Sequence, residues 1–412
     1  MITCGIDIGK GRHAVSVLDG NGRELMRPRF YDNTGKGAAE LLADLSKFAP
    51  PAETHVGMES TGSYWRGFCD ALAKAGCAVD VLNPIITKAS SSGDIRGRKT
   101  DKGDAVMIAR LVLGGDYVAR LAEGVAERKL KVLTRHRGFM VQQRTAFKVH
   151  LMSLLDEAFP EAESLFNDLH GVFAMTLLAR FPTARALAKA RVATVAKLVD
   201  AHTRAEDPAA EAKRLVEAAK ASLGADCETH EALGACIASA IAAIRSCDER
   251  IEEIEREIDA FENPAMAAII AQIKGAGTLL PKVIASEYGE LSRFALNPRT
   301  GSARDMYKRL LAYAGCDPRI RESGKWKGKV FISKRGSGQL RTALFLVGNG
   351  IRTWDPYFKS VYDDKKAKGK HHTVAVFYVV AKLLEVVCSL YKSGRSYSTQ
   401  KPVTNPCLQP SC

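Results

Sequence analysis

Long apolar runs are missing from this chain of 412 residues: none approaches the roughly 18 to 20 residues of a membrane span. The start, Met1-Ile2-Thr3-Cys4-Gly5, lacks the basic and apolar regions of a signal peptide. Ten cysteines are scattered without a Cys-x-x-Cys pair or a Cys/His cluster, so neither a zinc site nor a disulfide framework is indicated. These absences point to a cytoplasmic protein with reduced thiols and no membrane partner. Acid is the other deficit: 46 Asp and Glu face 60 Lys and Arg, a formal net charge of +14. The imbalance is local. From Asn297 onward, 22 Lys and Arg stand against 7 Asp and Glu, which makes that segment +15 and leaves the remainder near −1. A basic C-terminal domain on a near-neutral remainder is the electrostatic footprint of a phosphate-backbone partner; a solubility device is the plainer alternative.

Length allows two or three domains, and 46% hydrophobic with 26% charged residues is a soluble globular composition. Residues 1–125 read as α/β. Short strand-like runs at 2–8, 13–19 and 24–30 are separated by glycine and polar turns, and strands at 55–59 and 78–82 alternate with helices at 37–48, 64–75 and 104–113. That order predicts an open mixed sheet with helices on its faces. Residues 126–263 read as a long helical region. Its first helix, 127–158, is rich in cations, and an Ala-rich helical insert follows at 169–225. Ile237, Ile241, Ile244, Cys247, Ile251, Ile254, Ile258 and Phe261 then recur at spacings of mostly three and four, a coiled-coil seam expected to pair with 127–158 as an antiparallel hairpin. A last domain covers 264–395, with apolar helices at 340–348 and 374–391 joined through a Lys-rich linker at 365–370. A disordered tail is expected at 396–412.

Four acids stand where a metal-dependent nuclease places ligands. Asp7 and Glu59 sit at the ends of apolar runs; Asp101 and Asp104 open a helix at i, i+3 spacing and share one of its faces. Carboxylate oxygens suit Mg²⁺ or Mn²⁺, and such cations can clamp a phosphodiester. Each acid has a bland reading: a turn acid at Asp7, a polar strand end at Glu59, an N-cap at Asp101. Jointly they fit a ribonuclease-H-like nuclease core. In the basic C-terminal domain, Lys274 lies in a Gly-containing hairpin suited to phosphate, Lys334, Arg335 and Arg341 are candidate backbone-phosphate contacts, and Ser323 lies among Arg321, Lys325 and Lys327. Ser333 and Ser337 compete with Ser323 as reactive hydroxyls, and Glu322-Ser323-Gly324 is also a plain turn.

These motifs resemble one family. Gly5-Ile-Asp-Ile-Gly-Lys10, Glu59-Ser-Thr-Gly-Ser-Tyr64, Leu82-Asn-Pro84, Lys99-Thr-Asp-Lys-Gly-Asp-Ala105, Leu311-Ala-Tyr-Ala-Gly-Cys-Asp-Pro318, Glu322-Ser-Gly324 and Ser333-Lys-Arg-Gly-Ser-Gly-Gln-Leu-Arg341 are similar to motifs of the DEDD transposases of bacterial insertion-sequence family one-hundred-and-ten, relatives of the Piv and MooV invertases. The resemblance implies a RuvC-like N-terminal domain, a coiled-coil middle and a mainly α-helical C-terminal transposase domain. It implies that Asp7, Glu59, Asp101 and Asp104 hold the metal and that Ser323 is the nucleophile. It further implies donor and target DNA, an element-encoded non-coding guide RNA with the 127–158 stretch as its contact surface, a homo-oligomer (dimer or tetramer), and a nucleoid-associated place in a bacterial cytoplasm. Acids and serine on different domains would make the active site composite. The sequence departs from the family in reading Lys274-Gly-Ala-Gly277 at the hairpin and in carrying the 169–225 insert. Two rivals remain: a metal-dependent RuvC-like nuclease cleaving branched DNA by water attack, and a nucleic-acid-binding protein with a decayed site.

Overall fold

The computed structural model describes residues 1–60, 62–82, 100–115, 125–295, 305–319, 322–323, 326–327 and 331–399. They form two compact units, the first within 1–115 and the second from 125 onward.

The first unit is built on strands β1 (Ile2–Asp7), β2 (Arg12–Leu18), β3 (Glu24–Asp32), β4 (Thr54–Glu59) and β5 (Ala78–Leu82), in the order β3-β2-β1-β4-β5. Strands β1 to β3 form an antiparallel meander, and β4 and β5 add in parallel to β1. The central strands are apolar on both faces because both are covered. Helices α1 (Gly35–Leu45) and α2 (Trp65–Lys74) contribute Leu41, Leu45, Phe68 and Leu72 to a core with Ile6, Val15, Val56 and Met58. Helix α3 (Asp101–Gly114) lies across β1, β2 and β4. The expected mixed α/β sheet is therefore present.

The second unit is helical and holds two cores joined by a stem. The stem pairs α4 (Val125–Ala158) with the long helix at His230–Asp259. Ion pairs Arg137–Glu255 and Arg144–Asp248, both 2.7 Å, show the two run antiparallel, with Ile237, Ile241, Ile244, Cys247, Ile251, Ile254 and Ile258 on the buried side. Arg135 is spent similarly, on Glu287 at 2.7 Å, so three cations of the expected RNA-contacting stretch instead join helices. Between the stem helices come α5 (Ala162–Leu165), α6 (Val172–Arg180), α7 (Ala184–Ala188), α8 (Val192–His202) and α9 (Pro208–Ala221); the stem's second helix is α10. This insert packs with the far end of the stem into a core of its own.

The C-terminal core comprises α11 (Ala265–Ala271), α12 (Leu279–Tyr288), α13 (Met306–Ala314), α14 (Gly338–Trp354), α15 (Pro356–Ala367) and α16 (His372–Ser393). It is not a separate unit: Thr134 and Ser286 share a hydrogen bond (3.0 Å), Arg135 holds Glu287 through two, and Lys282 Nζ donates to the Ile258 and Asp259 carbonyls that end α10. A boundary after 263 is therefore only a boundary in chain order.

Three other expectations fail here. The first half of the Lys-rich linker is the end of a helix, because Asp355 caps α15, Pro356 follows at its first turn, and Lys365 and Lys366 suit its last; residues 368–370 turn out of it. Of the expected tail, residues 396–399 are placed, since Tyr397 donates its hydroxyl to the buried Asp355 (2.9 Å) and its ring stacks on Phe358; 400–412 lie outside the described residues. Helix α16, of 22 residues with an 18-residue window of mean hydropathy 2.0, is long and apolar enough to cross a membrane by length and composition, contrary to the reading that no run is. Its Val379, Val380, Leu383, Leu384 and Val387 are fully buried in the C-terminal core, which accounts for that composition.

Candidate active site

Asp7 ends β1 and Glu59 ends β4. These strands are parallel neighbours in register through Ile6 and Met58, so the two acids occupy adjacent strand ends, both half-buried. Helix α3 brings the other two. A Cβ on Gly5 would lie 2.1 Å from the Ala105 carbonyl oxygen and 2.3 Å from the Ala109 nitrogen, so the first half of α3 rests directly on β1. Leu113, near the other end of α3, approaches Gly22 in the β2–β3 turn, which sits at the start of β1. Helix α3 therefore runs antiparallel to β1, and its first turn, with Asp101 exposed and Asp104 half-buried, stands at the Asp7 end.

The cap of that helix is Thr100, whose hydroxyl accepts the Gly103 N–H at 3.2 Å, so the N-cap reading of Asp101 fails and both acids lie in the first turn. Among the described residues no three Asp, Glu, His or Cys side chains stand close enough to hold a metal ion. The fold sets a shared end for four carboxylates rather than a finished coordination shell.

His13 is a residue the sequence gave no reason to single out. It is fully buried at the start of β2; its Nδ1 accepts the Gly9 N–H at 3.3 Å, and its ring stands edge-on to Phe68 of α2 at 4.4 Å. It thereby ties the turn after Asp7 to the helix that follows the Glu59 loop. Burial lowers its pKa, opposed by a contact with the Asn33 amide.

In the second unit, Ser323 lies in a two-residue strand β7 (Glu322–Ser323) paired with β8 (Trp326–Lys327), flanked by a pair from β6 (Pro318–Arg319) and β9 (Phe331–Ile332). Arg321 and Lys325 lie outside the described residues. Both competing serines have other duties. Ser333 donates to Asp317, and Ser337 caps α14 by accepting the Leu340 N–H at 3.3 Å. Lys334 and Arg335 are exposed and form no ion pair among the described residues. Their loop is pressed against the end of α13, where Gly315 at φ 66 leaves room for the Arg335 and Gly336 nitrogens. Arg341 donates to the Ala314 and Gly336 carbonyls at 3.2 and 2.6 Å, a capping duty visible only in the fold. Lys274 lies 5.9 Å from the centre of the Trp354 ring.

Comparison with known proteins agrees with both halves. The DEDD model of the IS110 group, described as a transposase, matches residues 4–160, and the model for transposases of the IS116/IS110/IS902 family matches 267–363, together more than half of the chain. An uncharacterized 44.8 kDa protein of insertion element IS116 from Streptomyces clavuligerus is 24% identical, with 98% of each chain covered. An uncharacterized 42 kDa protein of insertion element IS900 from Mycobacterium paratuberculosis is 26% identical, covering 96% of this chain and 97% of that one. Among solved structures, T. thermophilus RuvC in complex with Holliday junction substrate aligns over 29% of this chain and 99% of that one, with 17% identity and a TM-score of 0.23.

Proposed function

The chain belongs to the IS110 family of transposases, enzymes that cut and rejoin DNA, and we propose that its strand exchange runs through a covalent bond between Ser323 and a DNA phosphate. The carrying observation is one of elimination. Of the three serines between residues 321 and 341, Ser333 is engaged with Asp317 and Ser337 is a helix cap, whereas Ser323 stands in a short strand paired with Trp326–Lys327, among cations in sequence.

In the cleavage step the Ser323 hydroxyl oxygen attacks phosphorus and passes its proton to a base, the bond from phosphorus to the 3′-oxygen breaks, and that oxygen leaves as a 3′-hydroxyl after taking a proton. Rejoining is the reverse: a 3′-hydroxyl of another strand attacks the phosphoserine and the serine leaves. One phosphoester replaces another, so exchange needs no nucleotide triphosphate. Arg321, Lys325 and Lys327 are close enough in sequence to neutralise the charge that grows on the equatorial oxygens.

Asp7, Glu59, Asp101 and Asp104 would hold Mg²⁺ or Mn²⁺. Four hard oxygen donors at one end of the sheet fit such a cation, while like charges repel one another without it. When bound, the cation supplies Lewis acidity toward phosphate oxygens. Target choice through an element-encoded guide RNA, and assembly as a dimer or tetramer, complete the proposal; both rest on the family resemblance.

The test is adduct trapping on DNA carrying the element junction, with flanking RNA and Mg²⁺ present. An SDS-resistant protein–DNA adduct, lost in both Ser323→Ala and Asp104→Ala, supports the proposal. Metal-dependent nicking without an adduct, undiminished in Ser323→Ala, would establish water attack instead.

A further inference from the structure

The insert between the stem helices has a charge pattern that neither the transposase families nor the chemistry above uses. From His170 to Val199 the chain carries five cations, Arg180, Arg185, Lys189, Arg191 and Lys197, and no Asp or Glu. From Asp200 to Glu228 it carries seven acids and four cations. Two of the four cations of the second half are locally neutralised: Arg214 is bound through two nitrogens to Glu211, and Lys220 pairs with Glu217 at 3.1 Å. None of the first five forms an ion pair among the described residues, and four of them are exposed; Arg185, half-buried, has only His230 Nδ1 beside it at 3.4 Å.

These cations ride on a rigid support. Helices α6, α7 and α8 bury Leu177, Leu178, Leu187, Val195 and Val199 completely, and Pro182 seats against Gly234 of α10. Rigid cations that form no ion pair attract an extended anion; the exposed Asp200 of α8, three residues past Lys197, is the one acid on these three helices. The residues between them decide which anion. Phe173 and Phe181 are half-buried against the insert core, Phe173 edge-on to Phe166 and Phe181 beneath Arg180, which leaves little aromatic face for unstacked bases. Neighbouring positions are chiefly Ala and Val, with no Asn or Gln to read base edges.

We infer that the α6–α8 face of the insert is a sequence-independent binding surface for the phosphate backbone of double-stranded DNA. It engages duplex outside the bases that undergo exchange. DNA is chosen over RNA because DNA is what the family cuts and rejoins.

The test measures binding of the full-length chain to a labelled 30-base-pair random duplex as salt is varied. The quadruple variant Arg180→Gln/Lys189→Gln/Arg191→Gln/Lys197→Gln is compared with wild type and with Arg214→Gln/Lys220→Gln, the two ion-paired cations of the acidic half. Each lost phosphate contact lowers the slope of log affinity against log salt by ~0.9, so the quadruple variant is expected to lose about 3 to 4 in slope and about tenfold or more in affinity at low salt. The control pair is expected to keep its slope. If the quadruple variant melts early, Lys189→Gln/Arg191→Gln, both at a turn, is expected to lose about 1.8. An unchanged slope overturns the inference. So does a loss confined to a double-stranded RNA probe, which would reassign the face to the guide.

Discussion

Gly5→Ala tests whether α3 is what places two of the four acids. The added methyl carbon would meet backbone on α3, at 2.1 Å from one carbonyl oxygen and 2.3 Å from one amide nitrogen, and no rotamer change relieves a clash with backbone. Overpacking of this kind costs about 1–3 kcal/mol, and the backbone partners place this case at the upper end, about 3 kcal/mol. Either α3 moves off β1, carrying Asp101 and Asp104 away from Asp7 and Glu59, or the unit loosens. Hydrogen exchange read by mass spectrometry on β1 and α3 peptides resolves both: protection there is expected to fall about 100-fold, with α4 and α10 unaffected. Gly11→Ala is the control, because a Cβ at Gly11 meets nothing within 4 Å. Unchanged α3 protection in Gly5→Ala, together with unchanged DNA cleavage, would refute the placement of α3 and with it the shared acid end.

Three further outcomes follow from the second unit. Arg135→Ala strands a carboxylate whose side chain is 2% exposed, and is expected to cost about 2–3 kcal/mol by chemical denaturation, less than for a wholly buried pair because Arg135 is half exposed. Burial would raise the Glu287 pKa, but Arg135, Lys131 and the Ser337 hydroxyl more than offset it and hold the carboxyl below the usual range. Its stabilisation is thus present above the unfolded value of about 4.3 and is lost as pH falls through the lower folded value; the melting gap between wild type and Glu287→Gln should close over that window. Ser337→Ala should cost about 1 kcal/mol as a lost cap yet still form a DNA adduct, whereas loss of the adduct would make Ser337 a contender for nucleophile. Tyr397→Phe removes a donor from the buried Asp355 and is expected to cost about 1 kcal/mol by thermal melting; no change would mean that this contact does not hold residues 396–399.

Much of the first unit was legible because its signals are local. Apolar runs ended by Asp7 and Glu59 give strands with acids at their ends, whereas the start of α3 was misplaced, with Asp101 offered as a cap in place of Thr100. Which end of the sheet α3 serves was not legible, since it depends on Gly5 admitting the helix backbone. The stem was legible from isoleucine spacing, but the pairing of Arg135, Arg137 and Arg144 was not, because their acids lie 104 to 152 residues away. Two-residue strands around Ser323 carry no period and could not be read. Helix α15 was overlooked although Asp355-Pro356 is a cap followed by a first-turn proline; its polar face hid it. His13 and Arg341 owe their roles to chain segments that return from elsewhere in the fold. Ser323 stood out only through the family resemblance, and the structure's contribution is to show what its rivals are doing.

The most direct measurement of the central claim is peptide mapping of the covalent product. The trapped adduct is digested with nuclease and trypsin, and the nucleotide-bearing peptide is sequenced by mass spectrometry. The account predicts a nucleotide phosphate on Ser323, in the peptide that follows Arg321. A nucleotide on Ser333 or Ser337, or cleaved DNA with no modified peptide at all, would contradict it.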